Sequence, residues 1–195
     1  MESQKSVIRR LLEESASLKK TMARNLAGSV EKAAALLIQT LEEGGKILFC
    51  GNGGSAADSQ HLATELVGRF QIDRGALPAL ALTTDTSGLT AMANDWGFDV
   101  VFKRQVEALG RQGDALVGIS TSGRSRNVIL AMEEARKRGL RTLAMTGRAQ
   151  GPMDDLADAV IRIPADRTAL VQEGHITVGH ILCELIENHF AVRDP

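Results

Sequence analysis

His61 and Glu65 stand four positions apart in GNGGSAADSQHLATEL, residues 51–66. On a helix that spacing puts an imidazole and a carboxylate on one face, one turn apart, where both can meet one ligand. As a surface pair they would only decorate a solvated face. Directly behind a glycine loop they gain a second reading, as proton carriers or metal ligands. A second polar set, Gln172, Glu173, His175 and His180, lies in VQEGHITVGH, residues 171–180, and carries more polar side chains than a purely structural helix needs. His175 and His189 fit ordinary core or surface histidines.

Two loops could hold an anion. In Gly51-Asn52-Gly53-Gly54-Ser55 the glycines let backbone approach a ligand, and the start of the following helix offers free N–H groups. A plain tight turn is the alternative. A dinucleotide fingerprint through Gly51, Gly53 and Ala56 lacks its acidic partner about 20 residues on, and the G-K-[ST] of a triphosphate loop is absent. In Ser120-Thr121-Ser122-Gly123-Arg124-Ser125 four hydroxyls fall within six residues, whereas a helix cap needs one. The two loops together suit a phosphorylated small molecule.

The elements that must position these residues are legible as short apolar runs alternating with helical stretches. KILFC (46–50), ALAL (79–82), ALVGI (115–119), TLAM (142–145) and AVIRI (159–163) have the length and composition of buried parallel strands. Helical patterns fall near 55–69, 87–109, 125–138, 151–157 and 168–190. The alternation predicts an α/β fold, a doubly wound, Rossmann-like sheet of five parallel strands with ligands at the carboxyl ends of the strands. Ahead of it, Ile8, Leu11, Leu12, Leu18, Met22 and Leu26 form one stripe of an amphipathic helix over about 3–27. Gly28 and Ser29 offer a break and an N-cap for a second helix over 30–43. Residues 1–28 are thus expected to be an oligomerisation helix and 29–195 the domain proper. An apolar stripe of that length is most economically buried against copies of itself, as in a homotetramer built on a helical bundle.

Composition narrows the partners. A net charge of -1, 3% aromatic residues and no Tyr leave neither the basic footprint nor the stacking surface of a nucleic-acid reader. Two cysteines make no disulfide framework, no stretch approaches a membrane span, and the start MESQKS leads into no apolar signal region. A cytoplasmic protein that binds neither nucleic acid nor membrane is the expectation.

The GNGGS turn, the STSGxS loop and the five-strand alternation resemble the sugar isomerase (SIS) domain. More narrowly, GNGGSAADSQHLATEL, AMANDWGFD, STSGRSRN and VQEGHITVGHILCELIE, in that order, resemble the phosphoheptose isomerases over nearly the whole chain. The resemblance implies conversion of sedoheptulose 7-phosphate to D-glycero-D-manno-heptose 7-phosphate through an enediol, the first step towards ADP-heptose for lipopolysaccharide or another surface polysaccharide. It implies a divalent metal, usually zinc, on His61, Glu65, Gln172 and His180. Gln172 and His180 are eight positions apart, about 12 Å of helix rise, so one ion cannot easily take both from the same straight helix, and the pocket is expected at a subunit interface with part of its lining drawn from a neighbouring copy. The resemblance makes Glu65 the base and His180 the partner acid, with ligand exchange as one way for Glu65 to serve as both base and ligand. Asn52, Gly53, Gly54, Ser55, Asn94, Asp95 and Gln172 would contact the sugar, and Ser120, Thr121, Ser122 and Ser125 the phosphate. Asn94-Asp95 also fits a helix-ending turn. Relatives often carry Arg-Ile where this chain has Leu170-Val171, and some an Asp at Ala169. The rival reading is a catalytically silent SIS protein similar to the replication-initiator-associating factor, which binds a protein partner. Those proteins lack the glutamate found here at Glu65. An isomerase acting on another sugar phosphate is a third possibility.

Overall fold

A computed structural model describes residues 2–191. The five apolar runs pair as one parallel sheet: β1 (Ile47–Gly51), β2 (Ala79–Ala81), β3 (Ala115–Ser120), β4 (Arg141–Thr146) and β5 (Ala159–Arg162), in the order β2-β1-β3-β4-β5. β1 and β3 are buried at every position, as strands covered on both faces must be. Side chains alternate across them. Ile47 and Phe49 join Val117 and Ile119 on one face, packed on α2 (Ala27–Glu42), α3 (Gly54–Val67) and α8 (Thr168–Ala191). Leu48, Cys50 and Leu116 face α5 (Val101–Leu109), α6 (Arg126–Lys137) and the short α7 (Pro152–Asp155).

The strand order has a functional consequence. From β1 the chain turns outward through α3 to the edge strand β2, then crosses back to enter β3 on the other side of β1. α3 and α6, which leave β1 and β3, therefore lie on opposite faces. Their N-termini flank the crevice where winding reverses, the usual ligand position in such sheets.

Two helix expectations need correction. The N-terminal break falls at Leu26, between α1 (Gln4–Asn25) and α2, rather than at Gly28-Ser29. Ser29 lies inside the first turn of α2 and its hydroxyl donates to the Leu26 carbonyl. Leu26 packs against the core, so tertiary packing sets the bend where local capping signals suggested a later one. The stretch 87–109 is two helices. α4 (Thr86–Trp96) ends at Gly97, whose φ of 85° suits only glycine, and a 3-10 turn, Phe98–Val100, precedes α5. Unbroken apolar periodicity hid that stop.

α8 and α3 lie side by side and parallel. Leu62 of α3 meets Gly179 of α8, where an added Cβ would stand 2.6 Å from a Leu62 methyl carbon. Leu62 is itself buried and has little room to yield. Gly179→Ala is therefore expected to lower the urea midpoint, because overpacking costs about 1–3 kcal/mol against roughly 1 kcal/mol gained in helix propensity. Gly28→Ala, where a Cβ meets nothing within 4 Å, is expected to raise it. Equal midpoints for the two variants would show that the α3–α8 contact is not tight.

Candidate active site

Both helix N-termini at the crevice lack a side-chain cap. Gly53, exposed and with a φ of 56°, is the N-cap of α3, and Ser125 is the N-cap of α6; neither side chain bonds its own helix. The helix dipoles thus direct partial positive charge at the crevice, although the Ser55 and Ala56 N–H groups bond the Asn52 and Gly53 carbonyls and the Val128 N–H bonds the Asn127 amide. The Ser125 hydroxyl instead lies 2.8 Å from that of Ser120, which is 3.4 Å from that of Ser122. Ser122 also accepts from the Arg124 N–H. These three hydroxyls form one cluster, unlike a simple cap. Thr121 adjoins them in the loop, and its carbonyl accepts from the Gly147 N–H.

Asn52 and Asn127 exchange two amide hydrogen bonds of 2.9 Å each, tying the β1 loop to the first turn of α6. Asn127 is buried and also accepts from the Val128 N–H. Sequence reasoning passed over it. The signal was present as the last letter of STSGRSRN, but its meaning depends on α6 lying beside the β1 loop. Ser55, in the first turn of α3, is buried, and Gln172 of α8 lies directly over Gly54, where a Cβ would collide with the Gln172 amide.

Two turns further along the same helix pair, His61 and His180 meet with Nε2 atoms 2.9 Å apart and rings edge to face. The Glu65 carboxylate lies 3.3 Å from His61 Nε2. One ligand atom from each of His61, Glu65 and His180 lies within 4.8 Å of the other two. Two imidazole nitrogens and a carboxylate oxygen at this separation are a donor set a divalent cation accepts. The two Nε2 atoms face one another, so at this contact one donates and the other accepts.

Three of the four expected ligands thus come together within one chain, while Gln172 sits at the crevice, over Gly54. Asn94 and Asp95 stand exposed at the end of α4, Asn94 donating to Asp95 at 3.0 Å. Among the described residues no hydrogen bond joins either to the histidine cluster or to the loops. Asp58, one turn before His61, was also missed. Its Oδ2 is buried without a hydrogen-bond partner. Burial pushes its carboxyl up, and the charges of His61 and His180 oppose the rise. Cys50 and Cys183 are buried and their thiols are pushed up to about 12 by burial, which leaves no thiolate nucleophile.

The SIS domain model matches residues 11–147. The chain is 58% identical over 163 residues to the phosphoheptose isomerase of Akkermansia muciniphila, covering 84% of this chain and 86% of that protein. Among solved structures, the phosphoheptose isomerase of Neisseria gonorrhoeae superposes with a TM-score of 0.90 at 46% identity, covering 95% of this chain and all of that one. That of Francisella tularensis superposes at 0.92 and 37% identity, covering 96% and 100%.

His175 is fully buried between α8 and the sheet, its Nε2 3.1 Å from the Thr146 carbonyl and its Nδ1 without a partner. Since a carbonyl only accepts, Nε2 carries the proton. Burial pushes the imidazole down to about 4 from its ordinary 6.5, with the Thr146 bond opposing. As pH falls, the unfolded chain takes up this proton first. The contribution to stability is therefore complete above about pH 6.5 and lost between 6.5 and 4, on the order of 3 kcal/mol in all. The urea midpoint of the wild type should fall across that window more steeply than that of His175→Gln. Parallel slopes would mean that the buried ring is not the responsible group.

Proposed function

Because the chain belongs to the SIS domain family and, within it, to the phosphoheptose isomerases, we propose that it interconverts sedoheptulose 7-phosphate and D-glycero-D-manno-heptose 7-phosphate. It is an isomerase, and no external oxidant is needed, since one carbon is oxidised as its neighbour is reduced. The observation that carries the reading is the cluster formed by His61 and Glu65, on the helix that leaves the glycine loop, with His180 on α8 beside it. From Gly54 to His61 the helix rises about 10 Å. An extended seven-carbon sugar phosphate can bridge that separation, with its phosphate at the crevice and its carbonyl end at the cluster.

The steps follow from the groups present. Ser120, Thr121, Ser122 and Ser125 hold the phosphate with the two helix N-termini, while Asn52, Gly53, Gly54 and Ser55 line the passage for the sugar. Glu65 removes a proton from C1, electrons move into an enediolate across C1 and C2, and the same proton returns to C2. His180 donates to the C2 oxygen while the C1 hydroxyl gives up its proton. His61, Glu65 and His180 would hold the metal, and a bound divalent ion, most simply Zn²⁺, supplies positive charge against the enediolate oxygen. Neither Glu65 nor His180 could hold the ion and carry a proton on the same atom at once, so each would have to leave the ion to act as base or acid.

Gln172, held over Gly54, is too far along α8 to join the same ion in its own chain. We assign it to the sugar, or to the metal site of a neighbouring copy. Exposed apolar surface supports such an assembly. Ile8 and Leu12 on α1 are 59% and 67% exposed, and α4, with no buried residue, ends beside exposed Trp96 and Phe98. An apolar cleft of about 650 Å³ between α1, α2 and α8 includes Met22, Leu26, Ile181 and Leu185. A homotetramer that buries these faces, with residues 1–28 as its bundle helix although Leu18 and Met22 also join the main core, would bring Asn94 and Asp95 to a neighbour's pocket. No helix among the described residues is long and apolar enough to cross a membrane. We place the enzyme in the cytoplasm, at the head of ADP-heptose supply for lipopolysaccharide or another surface polysaccharide.

Incubation with sedoheptulose 7-phosphate should yield the aldose. Glu65→Gln is expected to lower kcat by about 10²–10⁴-fold, the usual contribution of a positioned base. Chelation should abolish turnover and added Zn²⁺ restore it. A metal-replete wild type with no isomerase activity would favour the silent, partner-binding alternative. Sedimentation at micromolar concentration should show a tetramer, and a stable monomer would overturn the shared pocket.

A further inference from the structure

Beyond α3 the chain does not run straight to β2. Residues 68–75 fold back against α8, and Glu187 gathers them. Its buried carboxylate accepts from the N–H of Phe70 at 2.8 Å, of Gln71 at 2.7 Å and of Ile72 at 2.9 Å. The Arg74 guanidinium, equally buried, lies 3.5 Å from the same carboxylate. Arg74 also donates to the carbonyls of Glu65, Leu66, Gly68 and Gly75, so it closes the C-terminal end of α3. Burial pushes the Glu187 carboxyl up, but the three N–H groups and Arg74 together hold it below the usual range. It stays charged. The loop so gathered carries Phe70, whose ring stacks on His180 with centroids 5.5 Å apart and planes inclined by 29°.

Nothing in the isomerisation requires a carboxylate at Glu187, which touches neither the cluster nor the crevice. Yet its bonds lead to both proton-moving residues: through Phe70 to the His180 ring, and through Arg74 to the backbone at Glu65. An imidazole has a broad χ2 well; the partly buried His180 ring meets His61 through its Nε2, and Phe70 stacked on its face sets the tilt of its plane. We infer that Glu187 is a positioning residue: by binding the backbone of residues 70–72 it sets Phe70 on the His180 imidazole and thereby fixes the direction of the His180 Nε2. This rests on the assignment of Glu65 and His180 as the proton-transfer pair.

The test uses the purified full-length protein, metal-replete, with kcat and KM for sedoheptulose 7-phosphate. Phe70→Leu and Glu187→Gln should each lower kcat about tenfold with KM within about twofold, the signature of an interaction that matters in the transition state. Phe70→Tyr, which keeps the ring, should retain wild-type kcat. The double variant Phe70→Leu/Glu187→Gln should be no slower than the worse single, because both changes act on one linkage. In ¹³C-histidine-labelled protein the His180 ring signal should move in Phe70→Leu and in Glu187→Gln, and stay in place in Phe70→Tyr. Multiplying kcat effects, or a His180 signal unmoved by Glu187→Gln, would overturn the inference. If Glu187→Gln does not fold, Glu187→Asp, which keeps the charge but draws it back by one methylene, carries the same expectations. Wild-type kcat in Phe70→Leu beside an inactive Glu65→Gln sinks this inference alone. Full activity in Glu65→Gln sinks the proton-transfer assignment beneath it.

Discussion

α8 reaches α3 only because Gly179 has no side chain. Everything that makes this surface chemical hangs on that approach. It brings His180 to 2.9 Å from His61, lets Gln172 lie across Gly54, and allows Glu187 to collect the loop that follows α3. The two helices are parallel because each leaves the carboxyl end of a strand and runs back along the sheet. Their contacts thus fall in order down the pair: amide over glycine at the crevice, imidazole against imidazole two turns below, and a buried ion pair at the far end.

The crevice end depends on topology rather than on a single contact. Winding reverses between β1 and β3, so the helices that follow them diverge to opposite faces and their N-termini remain open to one another. Neither N-cap residue caps its own helix through a side chain, although the Asn127 amide takes up the Val128 N–H in the first turn of α6. The Ser125 hydroxyl, placed where a cap would stand, is drawn to Ser120 instead.

The sheet was legible because buried parallel strands are short apolar runs between turn residues, and each expected run became a strand within a residue or two. The motif residues of the two loops were legible because glycine and clustered hydroxyls have few other uses at strand ends. His61 and Glu65 could be singled out because helical spacing coincides with a glycine loop just ahead of them, since the spacing alone also fits a solvated surface pair. What escaped was set by contacts between distant segments. Asn127 matters only beside Asn52, 75 positions away, and Glu187 only beside residues 70–72. Gly97 was hidden for the opposite reason, since apolar periodicity runs through it and only its positive φ reveals the stop. The bend at Leu26 follows from its burial against the core, which no local capping signal encodes. Two glycines in the last helix, Gly174 and Gly179, were the available clue to close packing, because glycine inside a helix costs about 1 kcal/mol and persists where bulk is excluded.

The paired amides of Asn52 and Asn127 join the two loops without any group that changes charge in the physiological range. The same is true of the serine hydroxyls around them. The mouth of the site therefore keeps one shape and one charge from acid to alkaline conditions, and only the ligand varies there, through the second ionisation of its phosphate near about pH 6. Acidity thus alters how firmly a phosphorylated ligand is gripped at this mouth only through the ligand itself.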